Sequence, residues 1–158
     1  MARDDKWLFA KLDEVWDAIF PDIYQENDVR IVWGRKARRR LGSIKAGEKK
    51  KNEHAETIIT INSLFKDEKI PEYVVIGTIA HELAHYVHGF HSPLTRKFDT
   101  PHAGGVVNRE LKNRGLEKIL RMQKKWLKEN WETYLQDSMP NVRKRRIRRR
   151  KRIVIKWI

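Results

Sequence analysis

The sequence predicts an α+β fold: an N-terminal helix, a small three-stranded sheet, a buried helix, and one or two C-terminal helices. Two observations carry that expectation. Apolar residues recur at helical spacing over residues 1–20, 71–88 and 116–136, and three short segments between residues 29 and 61 alternate in polarity or are β-branched. A chain of 158 residues is the length of one ordinary domain, in which about 68 to 70% of the unfolded surface can be buried.

Trp7, Leu8, Leu12, Val15, Trp16 and Ile19 make the first twenty residues an amphipathic helix that ends before Pro21. Val29 to Trp33 alternates apolar and basic residues as a half-buried strand does, and Leu41 to Ala46 is expected to pair with it as a hairpin across the basic turn Arg35 to Arg40. After the lysine-rich loop Gly47 to His54, Thr57-Ile58-Ile59-Thr60-Ile61 is the strongest β-branched run and the third strand. Pro71 and Glu72 open a helix that Gly89 closes after His88. Val74, Val75, Ile76, Ile79, Leu83 and Val87 cover much of its circumference, which calls for burial on several sides. A loop from Ser92 to Pro101 leads to a helix near Ala103 to Arg114, capped or interrupted by Gly115. Leu116 to Gln136 continues as a long helix with Ile119, Met122, Trp126, Leu127, Trp131 and Tyr134 on one side. The domain is expected over residues 1–137, with a basic tail over 138–158 that ends in a short apolar segment, Ile153 to Ile158.

Charged residues make up 35% of the chain against a typical ~25%, and hydrophobic ones still reach 40%, so a folded domain with a heavily solvated exterior is expected. There is no cysteine, which excludes disulfides and thiolate metal sites and leaves histidine and carboxylate as metal ligands. The acid-rich start does not read as a signal peptide, and the longest apolar run, Tyr73 to Ala80, is far below the ~20 residues of a membrane helix. A cytoplasmic protein without membrane association is expected.

Five of the six histidines, His81, His85, His88, His91 and His102, fall within 22 residues. On a helix, residues four apart lie one above the other, so His81 and His85 can present two imidazoles to one ion. Glu82 is rotated to the side of that pair, where a carboxylate can take a proton from a metal-activated water; this makes it the candidate catalytic general base. The ordinary alternative is a buried helix that happens to hold these groups, each hydrogen-bonded to a neighbour. Burying two histidines and a glutamate together without a metal leaves costly polar groups to satisfy, which favours Zn2+. A catalytic zinc usually has three protein ligands. His91 stands at the metzincin distance from His85, but the glycine of that pattern is displaced, His88 standing in its place and Gly89 following. His102, in Pro101-His102-Ala103-Gly104-Gly105, and Glu110 on the next predicted helix are the other candidates.

Ile59-Thr60-Ile61-Asn62, the His81 to His85 motif and the Pro101 to Gly105 segment together make Thr57 to Gly115 resemble the SprT-like (Spartan-type) metallopeptidase domain. The resemblance implies a minimal zincin-like fold, zinc bound by His81, His85 and His102, Glu82 as the base, and an endopeptidase acting on proteins attached to DNA. Zincins bind substrate as a strand added to a sheet edge, for which Thr57 to Asn62 and Arg30 to Ala46 are the candidates. The chain departs from the family's pattern in two places: Ala103 splits the histidine–glycine pair, and there is no cysteine-based zinc ribbon.

The basic tail is the feature that would replace that ribbon. All 21 acidic side chains lie within residues 1–137, whereas ten of the 35 basic ones lie beyond Asp137. Arg143, Lys144, Arg145, Arg146, Arg148, Arg149, Arg150, Lys151 and Arg152 are candidate contacts to nucleic acid, DNA or RNA, with sequence-independent and salt-sensitive affinity. A nucleoid-associated location would follow. Trp157 offers a face for a base, but a lone terminal tryptophan more often packs on its own domain. The reading from a different functional class is a non-catalytic basic DNA- or RNA-binding protein with a structural zinc site. A metal-dependent nuclease stands behind both.

Overall fold

The computed structural model describes residues 3–140 and 154–157. Its described elements are α1 (Asp5–Ile19), β1 (Val29–Trp33), β2 (Gly42–Ala46), β3 (Thr57–Ile61), α2 (Glu72–Val87), α3 (Val106–Asn113) and α4 (Glu117–Ser138). Four helices and one three-stranded sheet make the mixed α+β class predicted from the sequence. Among the described residues, no helix is long and apolar enough to cross a membrane.

The sheet order corrects the expected hairpin. β3 lies in the centre, parallel to β1 and antiparallel to β2, so β1 and β2 never pair. Residue polarity explains the choice. Thr57, Ile58, Ile59 and Ile61 of β3 are all buried, which suits the central place, whereas β1 and β2 each keep exposed residues, as edge strands do. The chain between them is not a tight turn either. Asn62, just beyond β3, holds it by donating to the Ala37 and Arg40 carbonyls at 2.7 and 2.9 Å, and Trp131 Nε1 donates to the Arg38 carbonyl at 2.8 Å. Thr57 to Ile61 therefore has no open edge, which removes it as a candidate for strand addition; β1 and β2 carry the edges.

α2 is the centre of the molecule, touching α1, α3, α4, β2 and β3. Every residue from Gly77 to Val87 is buried, as the nearly continuous apolar circumference predicts, while Ile76 is only half-buried. Pro71 is the N-cap rather than the first helical residue. At the other end Gly89, at φ +82°, closes a Schellman turn: its N–H reaches the Tyr86 carbonyl and that of Phe90 reaches His85. A Cβ on Gly89 would lie 2.6 Å from the backbone of Arg96, so both the dihedral and the crowding require glycine.

α1 lays Leu8, Leu12 and Val15 on the core, and Trp16 meets Tyr86 of α2 edge-on at 5.2 Å. On α4 the inward stripe is Gln123, Trp131 and Leu135; Met122, expected on it, is 37% exposed because it lies one step, about 100°, from Gln123. Gln123 reaches α2 because residue 77 is glycine: a Cβ there would sit 2.6 Å from its Oε1.

Candidate metal centre

The site is set by the C-terminal half of α2. His81 and His85 stand one turn apart with Nε2 atoms 3.1 Å from each other. Beyond Gly89 the backbone near Arg96 crosses against the helix end, and Lys97 N–H bonds to the His88 carbonyl at 3.0 Å. The chain then returns to His102, an exposed residue that starts the 3-10 turn Ala103–Gly105. Gly104 and Gly105, at φ +61° and +68°, redirect the backbone into α3. The outcome is His102 Nε2 at 3.3 Å from His81 Nε2. Ligand atoms of the three histidines all lie within 4.8 Å of one another.

The 3.1 and 3.3 Å separations suit a metal. Nitrogens bound tetrahedrally at about 2.0 to 2.1 Å lie roughly 3.3 Å apart. Hydrogen bonding accounts for them less well, because a ring nitrogen carries either one proton or one lone pair, and His81 Nε2 faces two imidazoles at once. Burial and the neighbouring imidazoles push the His81 pKa well down; burial pushes His85 down to about 3, and His102 down as well. All three rings are therefore neutral near pH 7, the form that ligates.

Glu82 lies wholly inside, and neither carboxylate oxygen has a hydrogen-bond partner. Its Oε1 sits over β2, 3.2 Å from where a Cβ on Gly42 would be, so a glycine at the start of that strand makes room for it. Burial pushes its pKa well above the carboxylate range. Among the described residues the unpartnered buried side-chain polar atoms are both Glu82 oxygens, His85 Nδ1, His88 Nδ1 and Trp33 Nε1, so four of the five lie between residues 82 and 88.

The competing ligands go elsewhere. His91, at φ +56°, is exposed and engaged through its backbone, its carbonyl accepting from Thr57 Oγ1 at 2.6 Å. Glu110 is held by His88 Nε2 at 3.0 Å and Arg114 Nε at 3.2 Å. Arg114 also binds Asp22 and the Ile19 carbonyl, tying α3 to the end of α1. His88 is thus a buried link between α2 and α3. The nucleic-acid candidates Arg143 to Arg152 lie outside the described residues.

Sequence reasoning left Trp157 without a role at the site. Its ring stacks on His81, centroids 4.2 Å apart and planes 26° from parallel. The tendency of a terminal tryptophan to fold back was the only available signal, and it did not indicate where. Neither a family model, nor a curated protein, nor a solved structure matches the chain.

Proposed function

We propose that the chain is a zinc-dependent metalloendopeptidase of zincin-like, SprT-like character, acting on proteins bound to nucleic acid. The supporting observation is the meeting of His81, His85 and His102 nitrogens beside Glu82, a buried carboxylate with no partner of its own. A structural site has no use for such a group, because its coordination sphere is closed. A bound zinc ion would polarise a peptide carbonyl and lower the pKa of water. The neutral imidazoles of His81, His85 and His102 would hold the ion through their lone pairs. Glu82 takes a proton from the water that attacks the carbonyl carbon and returns one to the amine as the C–N bond breaks. Its buried surroundings raise its proton affinity above that of an ordinary carboxylate, which favours taking the proton. The β2 edge beside Gly42 is the place for an extended substrate, and the acid-free basic run after Asp137 is the proposed anchor on DNA or RNA.

Glu82→Gln and wild type, zinc-loaded, are to be incubated with an unfolded protein, with and without single-stranded DNA. Cleavage by wild type alone, abolished by a chelator and faster with DNA, is the expected result. Equal, chelator-insensitive behaviour of both proteins would instead favour a non-catalytic basic nucleic-acid-binding protein with structural zinc.

A further inference from the structure

The C-terminal segment returns to the three histidines from far along the chain. Lys156 N–H donates to the Arg39 carbonyl at 2.9 Å, and Lys156 bridges Arg40 in the parallel sense. Ile155 and Trp157, both half-buried, rest against the core, while Val154 is 64% exposed. One residue beyond the bridge, Trp157 covers the His81 ring.

The backbone groups of the loop before β2 explain why the segment docks there. The Ala37 and Arg40 carbonyls are taken by Asn62, that of Arg38 by Trp131, and that of Leu41 by the Asn62 N–H. The Arg39 carbonyl points the other way and is taken by the segment. Such an outward backbone group leading into an edge strand is what an extended peptide uses when it adds to a sheet. The segment supplies features of that kind of ligand: one ladder bond to the loop and a side chain carried onto the His81 imidazole. The track is also continuous with the chemistry, because β2 begins two residues after Arg40 at Gly42, beside Glu82.

We propose that Val154 to Trp157 is an internal competitor that occupies the peptide track and screens the metal centre, so that the protein is self-inhibited until the segment lifts. This rests on the peptidase reading for its consequence in activity, but the screening itself is independent of catalysis. An intramolecular occupant lowers the fraction of chains able to bind substrate and so raises the apparent KM without changing kcat.

The test uses full-length chains carrying Trp157→Ala, Trp157→Phe or Lys156→Pro. Phenylalanine keeps a ring over His81, and proline removes the N–H that binds Arg39. The first readout is the rate at which each zinc-loaded protein gives up its metal to a coloured chelator. Trp157→Ala and Lys156→Pro are expected to release zinc about fivefold faster or more, with Trp157→Phe near wild type. Added acetyl-Val-Ile-Lys-Trp amide should slow the Trp157→Ala protein again. The second readout is cleavage of an unfolded protein, in which the two fast variants show a lower KM and unchanged kcat. Release at the wild-type rate in both, with no effect of the peptide, overturns the screening. If zinc release accelerates as expected but no variant cleaves protein, the screening stands and the peptidase reading fails.

Discussion

The two halves of α2 both bury polar groups and treat them in opposite ways. In the first, Thr78 donates to the Val74 carbonyl at 2.8 Å, and Gln123 reaches across from α4 to both at 2.9 and 3.1 Å. In the second, Glu82 has no partner at all and His85 Nδ1 none. The first half is a finished polar contact between helices. The second holds groups whose partners the protein itself does not provide, and such vacant bonding capacity in a dry interior is costly unless a ligand uses it. The same contrast separates two carboxylates. Asp67 accepts from Lys69 N–H and Tyr134 O–H and is held below the usual carboxylate range, while burial alone pushes Glu82 far above it.

That contrast can be broken most forcefully at a ligand. His85→Ala is expected to weaken zinc binding by more than about 100-fold, beyond the 10- to 100-fold typical of outer groups, and His102→Ala should follow it; His91→Ala should leave affinity unchanged by calorimetric titration. Zinc at a hundred times its dissociation constant should stabilise wild type by about 2.7 kcal/mol in denaturant unfolding, and His85→Ala hardly at all. Gln123→Ala attacks the other half: removing the partner of Val74 and Thr78 should cost about 1 to 3 kcal/mol with zinc affinity intact. An equal loss of affinity would mean that the two halves are not separable. Glu82→Gln should leave the metal-free chain as stable as wild type or more so, since no partner is lost. The smallest effect is that of Asp67. Its folded pKa is depressed, so its contribution is present above the unfolded carboxylate value and fades as pH falls through the folded one. Asp67→Asn should therefore flatten the acid limb of a stability–pH curve slightly.

Much of α2 was legible because the evidence for it is local. The i, i+4 spacing of His81 and His85 follows from helix geometry, and the apolar circumference from Val74 to Val87 called for burial. Pairing partners are not local. Alternation marks Val29 to Trp33 as a strand, but nothing within it tells that Thr57 to Ile61 and not Leu41 to Ala46 will lie alongside; that depends on which run has both faces covered. The third imidazole of the cluster has the same character. His91 and His102 differ little as residues, and the path of residues 89–102 decides between them. Gln123 and Trp157 were invisible as functional partners because each acts across a large sequence separation.

The Gly89 turn has a consequence for chain length. Because the helix end and residues 95–96 are clamped together there, the stretch from Lys97 to His102 is a tether of fixed reach, and the third imidazole arrives only if that reach is right. One residue inserted between Lys97 and Pro101 should cost little in folding, yet it would swing the ring away from its two companions. A position that contributes no side chain thus sets the gauge of the whole ligand set.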